Sequence, residues 1–427
     1  MALSGRAAAV AAVAVIVVIA IRSTAVVVAI DGLLLAAIVA DVILAAPVKT
    51  LDFTRAGDTR VRLGETATVA TTIVNTGRRT LNAHVRDAWP PSANATPARR
   101  TLRIGSGSQA RFTTTLAPQR HGDCRAGRVT VRSFGPMGLA GRQSGRRLDW
   151  SVRALPPFHS RKHLPRKLAQ LRELDGQILA ARRGQGSEFD SLREYVIGDD
   201  VRSIDWRSTA RRGDVLVRTW RPERDRRVVI VLDTGRTSAG RVGGFPRLDA
   251  SMDAVQLLTA LASQAGDRVD LIAADQRVRA RVLAPPRTSA LAAVTDALAT
   301  LEPELTESDG RLLATTVLSH TRRRCLVVLL TDLNPSVTLL PEFRAVATRH
   351  ELLVGAVTDP RVAELAAGRG DAAAVYSAAA AARSLTERSG VAAQLTRLGA
   401  TVVDVPPARL APALADAYLA MKGAGRL

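Results

Sequence analysis

Two aspartates stand where an α/β sheet presents its chemistry. Asp233 ends the apolar run 226–233 (RRVVIVLD), and Asp332 ends the run 326–332 (LVVLLTD). If these runs are neighbouring strands, both carboxylates converge on one crevice at the carboxyl ends, where ligands bind in such sheets. Hydroxyls stand nearby, at Thr234, Thr237 and Ser238 after the first run and at Thr306 and Ser308 before a later helix. Carboxylate and hydroxyl oxygens completed by water are what a Mg²⁺ octahedron accepts. The plainer alternative is that Asp233 caps the turn after its own strand.

A second constellation occupies residues 186–211 (GSEFDSLREYVIGDDVRSIDWRSTAR), where Glu188, Glu194, Asp199, Asp200 and Asp205 are interleaved with Arg193, Arg202, Arg207 and Arg211. Spacing alone permits a carboxylate metal site or a general acid and base. Each acid has an arginine neighbour, however, and such interleaving points to a salt-bridge network or a partner-binding surface. A hydrolase built on Glu188 to Asp205 is the alternative. It lacks a paired nucleophile and base, and no histidine stands between His163 and His320. Phosphate-loop, dinucleotide, nucleophile-elbow and zincin motifs are also missing, so the chain reads as a binding protein rather than an enzyme.

The elements that must position these residues are legible from periodicity. From residue 227 onward, near-continuous apolar runs (RRVVIVLD, RVDLIAAD, CLVVLLTDL, ELLVGAVTD) alternate with amphipathic helical segments (LDASMDAVQLLTALASQAG, TSALAAVTDALATL, GRLLATTVLSHT). That alternation predicts a doubly wound sheet covered by helices on both faces. Residues 61–150 instead show short alternating runs separated by Gly, Asn and Pro, the pattern of an antiparallel β-sandwich. A proline-bearing stretch, ALPPF then RKHLPRK, marks the boundary before a helical segment near Leu168.

At this point two resemblances carry the reading further. The run Asp233-Thr-Gly235-Arg-Thr237 resembles the Asp-x-Ser-x-Ser of the von Willebrand A domain. That resemblance implies a metal-ion-dependent adhesion site in which Asp233, Thr237, a middle-loop hydroxyl from Thr306 or Ser308, and Asp332 hold Mg²⁺. Gly235 stands where the first serine ligand belongs. The second constellation resembles the bacterial family called domain of unknown function 58, through Glu188, Phe189, Leu192, Arg193, Tyr195, Gly198, Asp199, Asp200, Arg202, Ile204, Asp205, Trp206 and Ala210. Residues 120–139 (RHGDCRAGRVTVRSFGPMGL) and two leading apolar runs agree with it. What it implies is a partnership with a MoxR-type AAA+ ATPase, with Glu188, Arg193, Tyr195, Asp199, Asp200, Arg202, Asp205 and Trp206 as the partner-binding signature.

Charge and hydropathy set the compartment. The chain of 427 residues carries a formal charge of +21, almost all of it from arginine, since the only lysines are Lys49, Lys162, Lys167 and Lys422. Between residues 50 and 150 there are 17 arginines against 6 acids, immediately after an apolar N-terminal stretch, which reads either as a membrane-facing surface on the cytoplasmic side or as a solvated arginine-rich face. Aromatic residues make up only 3%, too few for base-stacking platforms, so no specific nucleic-acid partner is expected. Cys124 and Cys325 fall in different predicted domains and read as buried thiols, not a disulfide.

Residues 7–21, bracketed by Arg6 and Arg22, and residues 25–46, which carry Asp31 and Asp41, predict two membrane helices. The rival, a cleaved signal peptide, lacks a clear small-x-small cleavage site. Arginines after the second run outnumber the one in the turn, which places both ends of the hairpin in the cytoplasm. The expected architecture is therefore multi-domain: a transmembrane helical hairpin (1–48), a β-sandwich (49–155), a charged linker with the family signature (156–226) and a doubly wound α/β von Willebrand A-like domain (227–427). Its expected role is a scaffold at the inner membrane, with its soluble domains in the cytoplasm, engaging an acidic group of a partner through Mg²⁺ at Asp233, Thr237 and Asp332.

Overall fold

A computed structural model of the chain describes residues 2–21, 23–181, 188–221, 226–334 and 339–427. Arg22 lies outside the described residues, as does the side chain of Glu188. The chain divides into two compact units, Met1–Pro156 and Pro157–Leu427.

In the first unit, the helix Thr24–Leu44 begins an apolar segment, Thr24–Thr50, long and apolar enough to cross a membrane. A shorter apolar helix, Gly5–Ile21, precedes it. The rest of the unit is β. A five-stranded antiparallel sheet runs in the order Ala2–Leu3, Ala140–Arg147, Arg128–Phe134, Leu81–Asp87, Arg99–Ile104, and a three-stranded sheet in the order Leu51–Gly57, Ala67–Asn75, Gln109–Leu116. Alternation explains the packing. Leu81, Ala83, Val85, Val129 and Val131 of the first sheet meet Leu51, Ile73 and Phe112 of the second in one core, while the residues between them face outward.

The end of the membrane-length helix is fixed to this sandwich by one side chain. Asp41 is fully buried, and its carboxylate accepts hydrogen bonds from the backbone N–H groups of Met137 (2.9 Å), Leu139 (2.6 Å) and Ala140 (2.9 Å). Gly135 in the same turn could carry no side chain, because a Cβ there would lie 2.1 Å from Asp41 Oδ1. The sequence FGPMGL is thus a cradle for the Asp41 carboxylate. Arg142 adds a bond to the Val42 carbonyl (3.0 Å), and Ser4 N–H bonds to the Leu139 carbonyl (2.9 Å), tying the start of the first apolar helix to the same turn.

The second unit is built on a six-stranded sheet in the order Val278–Val282, Arg268–Ala274, Arg227–Asp233, Leu326–Leu330, Glu351–Val357, Thr401–Val405. All neighbours are parallel except the antiparallel edge strand Val278–Val282. The central strands are buried on both faces, as their unbroken Val, Ile and Leu content requires. From Arg227–Asp233 the chain goes to one neighbour and later returns on the other side through Leu326–Leu330, so the connections diverge between these two strands. That switch point is where a doubly wound sheet opens a crevice.

Within residues 156–226, expected as a linker, the segment before the hairpin packs onto this unit. The helix Leu164–Ala181 buries Leu171 in the same core as Leu248, Met252 and Tyr418, and Lys167 forms an ion pair with Asp416. Beyond it, Glu188–Glu194 and Leu216–Arg221 pair as an antiparallel hairpin.

Candidate functional site

The crevice at the switch point brings Asp233 and the Thr331–Asp332 pair to adjacent strand ends, through a register in which Leu232 pairs with Leu330. Asp233 is fully buried, and protein donors surround its carboxylate. Oδ1 accepts from Gly235 N–H (2.9 Å) and from the Ser308 hydroxyl; Oδ2 accepts from Thr331 Oγ1 (2.7 Å) and Thr237 Oγ1 (3.3 Å). Burial pushes the Asp233 carboxyl above the ordinary range, opposed by those hydrogen bonds.

The glycine at the missing serine position has a steric cause. A Cβ on Gly235 would lie 2.1 Å from Ser308 Oγ and 2.9 Å from the Thr306 carbonyl oxygen. The hydroxyl that position 235 lacks therefore arrives from a loop some seventy residues on. Of the two middle-loop candidates, Ser308 is the one that reaches Asp233. Thr306 is exposed and contributes its carbonyl, which accepts from Arg236 N–H (2.8 Å).

Asp332 is also buried, but its partners are cations. Oδ2 accepts from Arg247 (3.2 Å), and Oδ1 accepts from the Arg388 guanidinium and from Leu333 N–H (3.0 Å). Arg388 also grips both oxygens of Asp404 at 2.7 Å and donates to the Val357 carbonyl (3.0 Å). Burial alone would lower the Arg388 pKa; the bonds and charges of Asp404 and Asp332 outweigh it and raise it.

This donor set does not fit Mg²⁺ as arranged. The Asp233 oxygens are engaged by four hydrogen bonds, and two guanidinium groups occupy Asp332 where a divalent cation would meet like charge. No group of three or more His, Cys, Asp or Glu suited to a metal occurs among the described residues. Thr331, Arg247 and Arg388 escaped the sequence reading, which named Ser308 beside Thr306 without deciding between them. A signal existed for Ser308, since a glycine in a ligand position marks close approach by another group.

The family signature is organised differently. Residues 195–205 form an excursion whose ends are clamped to consecutive residues of the opposite strand, Tyr195 N–H to the Val215 carbonyl and Asp205 N–H to the Leu216 carbonyl, both 2.8 Å. Its described acids, Asp199, Asp200 and Asp205, are engaged within the segment. Arg193 holds Asp199 in a two-pronged pair, and Val196 N–H also bonds to Asp199 (2.9 Å). Asp200 caps the short helix Val201–Ser203 by accepting from Arg202 N–H (2.9 Å). Asp205 caps the helix Trp206–Arg212 through Ser208 N–H (3.0 Å) and accepts from Arg218 (2.7 Å).

The Arg193 bond first, and then Val196 N–H, hold Asp199 below the usual carboxylate range; Ser208 N–H and then Arg218 do the same for Asp205. With these polar groups satisfied, the segment displays its apolar side chains to solvent. Val196 is 62% exposed, Ile197 96%, Val201 62% and Trp206 68%.

One Cys–His pair lies elsewhere. Cys325 Sγ stands 3.4 Å from His350 Nδ1, whose other nitrogen meets Thr321 Oγ1 at 3.2 Å. Burial pushes the thiol up to about 11 and lowers the imidazole pKa, the reverse of what a thiolate nucleophile needs. The pair sits at the amino ends of the strands, and Cys124 is buried and free in the first unit.

Comparison with known proteins covers part of the chain. Uncharacterized proteins from Mycobacterium tuberculosis and Mycobacterium bovis are each 29% identical over 194 residues, which is 45% of this chain and 61% of theirs. The chain thus spans about three-fifths of the length of these relatives. Among solved structures, a CARDB domain from Pyrococcus furiosus covers 25% of the chain at 13% identity, with a TM-score of 0.17, and a cupredoxin domain from Nitrosocaldus yellowstonii covers 26% at 12% identity, with a TM-score of 0.18. Scores this low carry no structural argument. Residues 191–381, from the signature hairpin through five of the six strands of the sheet into the helix Ala372–Arg397, match the family described as "Protein of unknown function DUF58".

Proposed function

We propose that this chain is a membrane-anchored adaptor that docks a protein partner through the excursion 195–206. The observation that carries this reading is the exposure of Val196, Ile197, Val201 and Trp206 on a segment whose acids are all committed to caps and ion pairs. A large apolar side chain left almost wholly in water is costly, and clustering of several near one scaffolded loop marks a binding surface. Arg207, Arg211 and Arg212 follow directly, so the partner surface that suits it is apolar with an acidic rim. The resemblance of the signature makes a MoxR-type AAA+ ATPase the candidate partner.

Anchoring is part of the same proposal. The two apolar helices form a transmembrane hairpin, supported by the attachment of Ser4 and Asp41 to one turn of the sandwich. Both ends then lie on one side of the membrane, and the arginine content of the sandwich makes that side the cytoplasm. In this reading the crevice at Asp233, Thr237 and Asp332 is a structural keystone closed by Arg247 and Arg388, and partner binding needs no Mg²⁺.

The test is affinity capture of the detergent-solubilised chain in Mg²⁺ and in EDTA, with wild type and Ile197→Asp in parallel. Retention of an AAA+ ATPase in both buffers by wild type, and its loss from the variant, is the expected outcome. Retention by wild type only in Mg²⁺ would return the contact to the crevice, and undiminished capture by Ile197→Asp would remove the excursion from the interface.

A further inference from the structure

The outer face of the five-stranded sheet in the first unit carries six arginines, Arg86, Arg99, Arg103, Arg128, Arg132 and Arg147, at outward positions of four adjacent strands. None of the outward positions of these strands is Asp or Glu; the acid at the end of the Leu81–Asp87 strand, Asp87, points inward to Arg55, Trp89 and Thr114. Register makes the arrangement costly. Arg86 lies directly opposite Arg99, and Arg128 directly opposite Arg147. Like charges in directly opposed cross-strand positions destabilise a sheet, and ordinary sheet faces pair them with opposite charges. An anion seated between them would turn that repulsion into attraction, and arginine is the side chain whose planar fork matches phosphate oxygens.

The face also has a concavity of about 370 Å³ lined by His84, Arg86, Arg99, Thr130, Arg132 and Gln143, with Gln143 Oε1 accepting from Arg132 at 2.6 Å. It has the size and charge of a site for one phosphate-bearing headgroup.

We infer that this face binds the phosphate headgroups of anionic phospholipids in the membrane that holds the apolar helices. The choice of lipid rests on the membrane-anchored reading above. The strand Ala140–Arg147, which bears Gln143 and Arg147, begins in the turn that cradles Asp41 at the end of the membrane-length helix, so the sheet starts at the bilayer boundary. Headgroup charge then lies within the reach of surface potential for the arginines nearest that end, Arg132 and Arg103.

The experiment uses the full chain in a non-ionic detergent, titrated separately with short-chain phosphatidylglycerol, short-chain phosphatidylcholine and inorganic phosphate, with thermal unfolding as the readout. Phosphatidylglycerol should raise Tm saturably and phosphatidylcholine should not. The double variant Arg86→Gln/Arg99→Gln should bind the anionic lipid about tenfold more weakly, while its Tm without lipid stays the same or rises because the opposed pair is gone. Equal responses to the two lipids, or an unchanged affinity in the double variant, would overturn the proposal. Free phosphate matching phosphatidylglycerol at equal concentration would overturn the lipid assignment in favour of a soluble anion. Because the titration reads the arginine face in detergent, it fails or succeeds independently of whether the helices insert.

Discussion

The crevice around Asp233 and the excursion around Asp199 use the same residue types to opposite ends. Both combine aspartates with arginines, and in both every described carboxylate has a partner. In the crevice the polar groups are buried or half-buried and tie the ends of the strands Arg227–Asp233 and Leu326–Leu330 to the helices that carry Arg247 and Arg388. In the excursion the polar groups hold a surface loop rigid, and what remains unsatisfied is apolar. A pattern of acids and hydroxyls is therefore chemistry only where something is left unpaired, and here the unpaired groups are Ile197 and Trp206, not the aspartates.

Five measurements would break or sharpen that contrast. The largest effect belongs to Arg388→Ala, which leaves the buried Asp332 with Arg247 as its one cation and the half-buried Asp404 beside an empty space. It should lower the unfolding free energy by about 4 kcal/mol in urea denaturation. A loss below about 1 kcal/mol would mean that the guanidinium is not what closes the crevice. Next, Gly235→Ala forces a methyl group onto Ser308 Oγ and should cost about 2 kcal/mol, part of which Ser308→Gly recovers. Simple additivity of the two changes would refute the direct clash.

The third measurement follows pH. The Asp233 carboxyl is raised in the folded state, so its contribution to stability is fully present below the ordinary carboxylate value and is lost as pH rises through the raised folded value. The stability of wild type relative to Asp233→Asn should accordingly decline over that window, and a parallel pair of pH profiles would contradict it. The smallest stability effect is expected at the excursion. Ile197→Asp should leave the unfolding free energy within about 0.5 kcal/mol of wild type, although partner capture is expected to be lost.

Mg²⁺ draws the same line from the other side. A site held a hundredfold above its Kd would gain about 2.7 kcal/mol from the ion. No such gain is expected for the crevice until Arg388 is removed, and a clear Mg²⁺-dependent rise in wild-type Tm would restore the adhesion-site reading.

Much of the scaffold was legible in the residues. Unbroken valine, isoleucine and leucine between 228 and 232, and again between 326 and 330, announce strands buried on both faces. Alternation in LNAHVRD announces a strand with one wet face. Asp205 and Asp200 fall one residue before helical turns, a local cap signature that the reading of this segment as a salt-bridge network or partner surface passed over. The helix Leu164–Ala181 was harder, because charge density there resembles a linker until Leu171 is seen to share a core with Tyr418, nearly two hundred and fifty residues away.

By itself, the sequence determined periodicity, the placement of aspartates at strand ends and the apolar length of the helix Thr24–Leu44, because these depend on residues within a turn or two of one another. Only the tertiary structure decided which partner each aspartate takes. Asp332 meets Arg388 across 56 positions, Asp233 meets Ser308 across 75, and Asp41 meets Met137 across 96. Those distances are bridged by strand order and crossovers, which period and composition do not encode. A carboxylate in water binds any donor in reach, and only the fold fixes which donors are within hydrogen-bond distance.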